Sequence, residues 1–278
     1  MRVALTRAVS LAIAHCELTH LDRQPIDLEI ARTQHRAYEA ALAGAGCRVE
    51  RLATGPDMPD SVFIEDMAIV FDEIAIVTRP GAESRRVETA GVAAALGRYR
   101  PLHAILAPGT MDGGDVLVAG RHVFVGRSSR TNDAAIADLH RAIAPYGYDV
   151  TPVDVHGCLH LKSAVTMAGD DRVLMNRAWV PAEPFDRFDR IDVDPSEPAA
   201  ANGLLVGGRV IYASAFPRTL ERLVRRGVRT VVVETGELAK AEGALTCCCL
   251  LVDEREGRAN EDEECPFGAP AAGQNRNS

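Results

Sequence analysis

Lysine is nearly absent from this chain: Lys162 and Lys240 are the only two among 31 basic side chains, and the rest are arginine. That imbalance reads as a compositional bias of the source, not as function. A clustered basic face is missing too, and the formal charge of −8 at pH 7 argues against a nucleic-acid partner, which would need one. No stretch approaches the roughly 20 apolar residues of a membrane helix. The apolar run Ala8 to Ala14, with Arg7 before it and His15 ending it, is barely half the core of a secretory signal. Seven cysteines make an odd number, four of them scattered singly at Cys16, Cys47, Cys158 and Cys265, with neither a CxxC pair for zinc nor a disulfide-scaffold spacing. Free thiols in a reducing cytoplasm are therefore expected. So is a small partner, with the negative charge suited to a cationic one.

What is there is periodicity. With 278 residues, 47% of them apolar, the chain can bury a substantial core as one large domain or two small ones. The same unit recurs about every 45 residues: an apolar strand, a tight turn, a second strand, a helix-like stretch and a lone strand. The hairpins are "MAIVFDEIAIVTRP" turning at Asp72-Glu73, "DVLVAGRHVFVG" at Ala119-Gly120, "AVTMAGDDRVLMN" at Gly169-Asp170 and "GLLVGGRVIYAS" at Gly207-Gly208. A fifth, "CCCLLVDEREGRA", begins as well but dissolves into charge. Helices are expected over Glu29–Ala43, Arg85–Arg98, Asn132–Tyr146 and Arg218–Arg226, with single strands at "HAILA" and "TVVVE". Five such units make a closed α/β ring in which each buries its face against its neighbours.

The residues that open the hairpins are Glu65-Asp66, Asp112-Gly-Gly-Asp115, His160, Asn202 and Cys247. Residues at one phase of five repeats converge near the pseudo-symmetry axis, which would bring a carboxylate pair, an acid, an imidazole, an amide and a thiol into one pocket. Each alone has an ordinary reading. A cysteine in an apolar strand is more often a small core residue, Gly113-Gly114 could only make a turn, and Asp66 could cap local backbone. Independent core positions, however, have no reason to share a phase.

The stretches "PDSVFIED", "VTRPGAESRR", "MDGGDVL", "SSRTN", "LHLKS", "AAN" and "LTCC" carry a resemblance. From about residue 2 to about residue 252 the chain resembles the dimethylarginine dimethylaminohydrolase family of the guanidino-group-modifying pentein superfamily, whose fold is a five-bladed α/β propeller of ββαβ repeats. The resemblance implies hydrolysis of Nω-methylated L-arginine to L-citrulline and dimethylamine or methylamine. It implies Cys247 as nucleophile, His160 as general acid and base, and Asp112 as the carboxylate that assists the histidine. It further implies that Glu65 and Asp66 face the guanidinium, that Arg85 and Arg130 hold the substrate carboxylate, and that Asp60 and the backbone carbonyls of Leu18 and Ala241 surround the α-amine. Ala241 stands where a larger apolar residue is expected.

The chemistry fits those residue types. A guanidinium carbon is a poor electrophile that needs a strong nucleophile, and a thiol can be driven to thiolate by a nearby positive charge, which the substrate itself can supply. The leaving amine needs an acid, for which His160 is the candidate, held by Asp112 as in nucleophile–histidine–acid triads. Paired carboxylates match the planar fork of a guanidinium. On a strand Glu65 and Asp66 would point to opposite faces, so either the backbone is irregular there or one has a less direct role. The same alternation puts Cys247 and Cys249 on one face and Cys248 on the other, in the core, with Cys249 roughly 6–7 Å along from Cys247. No step requires a metal, a nucleotide or a flavin.

Other readings are another guanidine-directed pentein, an arginine deiminase or amidinotransferase, or a non-catalytic ribosome-binding pentein. The last predicts no thiol, imidazole and carboxylate in phase. Arginine deiminases usually carry an inserted helical domain, for which the length leaves no room. Residues 1–252 are expected to form one catalytic α/β-propeller domain and 253–278 an acidic, disordered tail. A homodimer is left open.

Overall fold

The computed structural model describes residues 1–254 apart from Pro56, so residues 255–278 of the expected tail lie outside the described residues. In chain order the elements are β1 (Arg2–Arg7), α1 (Leu28–Gly44), β2 (Cys47–Leu52), β3 (Ala68–Val70), β4 (Ala75–Val77), α2 (Thr89–Leu96), β5 (Leu102–Ala104), β6 (Val116–Ala119), β7 (His122–Arg127), α3 (Asp133–Ile143) and β8 (Asp149–Asp154). They continue with α4 (Leu161–Ala164), β9 (Val165–Gly169), β10 (Arg172–Met175), β11 (Asp189–Asp192), β12 (Leu204–Val206), β13 (Arg209–Ala213), α5 (Pro217–Arg225), β14 (Thr230–Val233), α6 (Gly236–Ala239) and β15 (Leu250–Asp253).

These strands form five three-stranded sheets, each with a middle strand antiparallel to one neighbour and parallel to the other. The antiparallel pair is the hairpin, and the parallel strand returns after the helical stretch, as a crossover connection demands. The helices start where local chemistry lets them. Asp27 accepts the N–H groups of Glu29 and Ile30 at 3.0 Å at the head of α1, and Asn132 accepts that of Ala135 at 3.0 Å at the head of α3. Pro217 opens α5 at a position where its missing N–H costs nothing. Apolar side chains fill the space between neighbouring sheets: Val3, Leu5, Leu250 and Val252 of one blade pack with Ala68, Ala75, Val92 and Leu96 of the next.

Most elements fall where the sequence pattern puts them, and the exceptions have physical causes. Two hairpin turns move one residue on, to Gly120-Arg121 and Asp170-Asp171, because Ala119 pairs with His122 and Gly169 with Arg172. The helix expected from Arg85 begins instead as a 3-10 turn over Glu83–Glu88. The fifth hairpin is not continuous in sequence: β15 takes β1, from the other end of the chain, as its antiparallel partner. This pairing also shifts the expected domain boundary. Asp253 lies opposite Arg2 and accepts its Nε and Nη2 at 2.8 and 2.7 Å, and Glu254 takes Arg48 Nη2 at 2.6 Å, so both residues belong to the folded unit. Among the described residues no helix is long and apolar enough to cross a membrane.

Candidate active site

The hairpins do not open directly on strand. In four of the five repeats a single helical turn comes first: Ile64–Met67, Gly113–Asp115, Leu161–Ala164 and Thr246–Cys248, with a non-helical turn at 198–201 in the remaining one. A 3-10 turn rotates successive side chains by about 120° instead of the 180° of a strand. Neighbours in sequence therefore diverge to the two ends of the ring's axis.

Hydrogen bonds pass from each turn to the next. Asp66 Oδ1 accepts Gly114 N at 3.0 Å, and Asp115 Oδ1 accepts Leu161 N at 2.9 Å. Asn202 Nδ2 donates to the Lys162 carbonyl at 3.0 Å, and Asn202 Oδ1 accepts Thr246 N at 3.1 Å. Thr246 Oγ1 closes the circle by donating to Glu65 Oε2 at 2.8 Å. Gly113 and Gly114 make this close approach possible: a β-carbon on Gly113 would lie 2.0 Å from the Glu65 carbonyl oxygen, and one on Gly114 2.6 Å from His160 Nδ1. The double glycine is thus a spacing requirement, not merely a turn.

Two openings lie on the axis. The larger, about 1100 Å3 with its mouth to solvent, is lined by strand residues together with Glu65, Lys162, Thr246 and Cys249. The smaller, about 350 Å3 on the same measure, brings Cys247, His160 and Asp66 together with Asp60, Arg85, Arg130, Ala241 and Glu242. The thiol of Cys247 and the imidazole of His160 thus meet in the smaller one. Volume does not decide the matter, because the larger opening carries no imidazole beside its thiol.

Three expectations change here. Glu65 and Asp66 part company: Glu65 Oε1 accepts Lys162 Nζ at 2.5 Å on the far side, while Asp66 faces the thiol's pocket. Cys247 and Cys249 do not share a face, since the turn sends Cys249 to the larger opening. Cys248 is buried in the core as expected, its thiol donating to the Ala244 carbonyl at 3.5 Å. The guanidinium of Arg85 is fully engaged by protein. It donates to Asp66 Oδ2 at 2.5 Å, to both Glu88 carboxylate oxygens at 3.2 and 3.1 Å, and to the carbonyls of Asp60 and Phe63 at 3.3 and 2.9 Å. Arg130 is less committed, with Nη2 on Thr19 Oγ1 at 3.0 Å and Nη1 3.6 Å from Asp112 Oδ2.

Electrostatics follow from this packing. Asp112 Oδ2 meets His160 Nε2 at 3.1 Å, and Asp112 Oδ1 accepts Gly81 N at 2.8 Å. Burial alone would lower the His160 pKa, but Asp66, Asp112 and Asp115 around the ring outweigh it and raise it to about 9. Cys247 is pushed up to about 12, by burial first and then by the charges of Glu65 and Asp66. Burial acts against ionised Asp66 as well, yet His160 and Arg85 hold its pKa below the usual carboxylate value. Asp60, which accepts Glu17 N at 3.2 and 3.1 Å, is raised to about 6 by burial, with Arg85 pulling the other way. The resting site is therefore an imidazolium beside a neutral thiol, walled by carboxylates. Asp66, Asp112 and His160 place three potential metal-ligand atoms within 4.8 Å of one another, but their oxygens are already occupied by Gly114, Arg85 and Gly81.

Ala241 and Glu17 line the pocket, and Leu18 lies in the adjoining loop between Glu17 and Thr19, whose N–H groups are both tied to carboxylates. Sequence reasoning placed Asp115 among the hairpin-opening residues without giving it a role, and passed over Lys162, Thr246, Glu88 and Glu242 as site residues. Thr246 was legible in principle, since it too occupies a hairpin-opening turn. Glu88 and Glu242 lie outside that phase.

No protein-family model matches the chain. An N(G),N(G)-dimethylarginine dimethylaminohydrolase of Streptomyces coelicolor is 40% identical over 252 residues, covering 90% of this chain and 97% of the relative. The chain belongs to the dimethylarginine dimethylaminohydrolase family. Solved structures of that family superpose closely. A Cys-to-Ser mutant of the Pseudomonas aeruginosa enzyme complexed with citrulline matches with a TM-score of 0.85 at 31% identity, over 89% of this chain and 98% of its own. A His-to-Gly form of a dimethylarginine dimethylaminohydrolase, as its adduct with S-methyl-L-thiocitrulline, also gives 0.85, at 32% identity over 90% and 100%. With its five three-stranded blades, this member of the dimethylarginine dimethylaminohydrolase family is a pentein propeller and a hydrolase.

Proposed function

We propose that the chain hydrolyses Nω-methylated L-arginine to L-citrulline and methylamine or dimethylamine, with Cys247 as nucleophile, His160 as acid and then base, and Asp112 holding the imidazole. The observation that carries this reading is the meeting of Cys247, His160 and Asp66 in one acid-rich pocket. The citrulline bound by the P. aeruginosa relative is the product such a reaction releases.

Because His160 is protonated and Cys247 neutral at pH 7, the thiol proton cannot pass to the imidazole. It leaves to solvent when the guanidinium enters, since that cation offsets the carboxylates that keep the thiol protonated. Asp66 faces the guanidinium. The thiolate then bonds to the central carbon, and the C–N bond to the methylated nitrogen breaks as His160 delivers its proton to the departing amine. An S-alkylthiouronium on Cys247 remains. Neutral His160 next takes a proton from water, the hydroxide adds to the same carbon, and the C–S bond breaks as the adduct's hydroxyl proton passes to the departing sulfur, returning the neutral thiol and citrulline. Electrostatic support comes from groups fixed in place before reaction, which is where most catalytic stabilisation resides.

Arg130 grips the α-carboxylate, and Arg85 contributes chiefly by holding Asp66 in place. Asp60 with the carbonyls of Leu18 and Ala241 surrounds the α-ammonium. Glu65 acts indirectly, through Lys162 and Thr246. The free cysteines among the described residues support a reducing, cytoplasmic setting. Release of citrulline and amine from arginine, monomethylarginine, asymmetric dimethylarginine and agmatine tests the assignment: turnover of methylated arginine well above the other two is expected. Agmatine turned over as fast as dimethylarginine would remove the carboxylate grip from the reading.

A further inference from the structure

Glu242 follows Ala241 in the turn after α6, at φ +57°, the only non-glycine with positive φ among the described residues. A β-carbon disfavours that conformation, which glycine or asparagine adopts readily. The side chain nevertheless does something neither could. Its Oε1 accepts the N–H groups of Thr19, His20 and Leu21 at 3.0, 2.5 and 2.7 Å, clasping the loop whose Glu17 lines the pocket. Its Oε2 is buried and has no hydrogen-bond partner, and the residue lines the same pocket as Asp60, His160 and Cys247. A buried carboxylate oxygen without a donor is costly. A ligand cation is the donor that this pocket lacks.

Asp60 holds the neighbouring part of the same loop through Glu17 N, so the loop is tied by two carboxylates that both line the pocket. We infer that Glu242 is a positioning and specificity residue: Oε2 accepts an N–H of the substrate α-ammonium while Oε1 latches the loop at 17–21 over it, so that amine recognition and loop closure are one event. This rests on the amino-acid substrate proposed above. A ligand that satisfies Oε2 binds the latched loop better than the open one, and that difference is what shifts the loop equilibrium.

Glu242→Gln separates the two halves, because its amide oxygen still serves the three N–H groups while a donor replaces the unpartnered acceptor Oε2. For methyl-L-arginine, kcat/KM should fall roughly 10- to 100-fold, mainly through KM. For 5-(methylguanidino)pentanoate, which lacks the amine, it should stay within about 3-fold of the unmodified enzyme, an allowance well below the effect of one such hydrogen bond. Equal losses on both substrates would reduce Glu242 to a structural latch and overturn the inference. Trypsin cleavage after Arg23 should be slowed by citrulline in the unmodified enzyme and not in Glu242→Gln; equal protection would also overturn it. Glu242→Asn guards against a folding artefact: asparagine suits the positive φ, so Tm should not fall, while discrimination between the two substrates is lost. Failure of the unmodified enzyme to hydrolyse methylarginine would instead sink the proposed function, a result distinct from turnover with unaltered discrimination in the variants.

Discussion

Asp112 Oδ2 lies 3.1 Å from Nε2 of a histidine that is itself buried, and no water is needed to join them. The pair is set to keep His160 charged: its pKa stands near 9 against an ordinary 6.5, since burial, which opposes the charge, is outweighed by Asp66, Asp112 and Asp115. A group whose pKa is raised on folding contributes stability that is complete below its unfolded value and disappears as pH climbs through the folded one. Unfolding of the protein and of His160→Gln, compared between pH 6 and 10, should therefore show the protein's advantage shrinking from about pH 6.5 to about pH 9. A constant difference would contradict the raised pKa.

The same substitution should lower kcat by about 10²- to 10⁴-fold, the usual worth of a positioned general acid, while substrate still binds. Asp112→Asn should be milder and should move the alkaline limb of the rate profile to lower pH, because the acid form of His160 loses a supporting charge. Near-normal turnover in His160→Gln would remove the imidazole from the mechanism.

Cys247 should alkylate slowly despite its proposed role as nucleophile. With a pKa near 12, its thiolate fraction at neutral pH is smaller than that of a free cysteine by roughly 3.5 powers of ten, of which greater basicity recovers about 1.5. Iodoacetamide should thus react about 100-fold more slowly than with a free thiol. Cys247→Ser should bind substrate and lose nearly all activity, whereas Cys248→Ala and Cys249→Ala should cost stability and keep the chemistry. Mass spectrometry of enzyme quenched during turnover should find any adduct on Cys247.

The two arginines should fail in different ways. Arg85→Ala removes the ion-pair partner of buried Asp66 and Glu88, a change that typically costs about 3–5 kcal/mol, so thermal unfolding should report it first. Arg130→Ala should leave Tm nearly unchanged and raise KM for methylarginine. A reversed pattern would return the carboxylate grip to Arg85.

Lys162→Met should destabilise by a similar several kcal/mol because it strands Glu65, and adding Glu65→Leu should recover much of that loss. A double-mutant cycle on Tm measures the coupling, and strictly additive losses would show that the pair is not coupled.

The repeat, the sheet count, the helices at Asp133–Ile143 and Pro217–Arg225 and the phase of the polar residues were all readable in the chain, because period-2 strands and tight turns are local signals. The pocket's inner arrangement was less so. Side-chain direction at Glu65 and Cys249 depends on one helical turn placed before each hairpin, too short to leave a period of its own. The commitment of Arg85 arises from Asp60, Phe63, Asp66 and Glu88 converging on it, and Glu242 acts across more than two hundred residues of sequence. Such contacts exist only once the ring is closed.

That closure is made by strangers in sequence, β1 and β15. The thiol sits three residues before the strand that completes the circle, so a chain interrupted anywhere upstream lacks both its reactive atom and its final seam. With Cys247 as the proposed nucleophile, only a polypeptide translated through β15 holds both the thiol and the seam that closes the ring. By the same logic the seam between β1 and β15, neighbours in one sheet, marks where the ring could be joined by a linker and reopened elsewhere between blades without disturbing the axis.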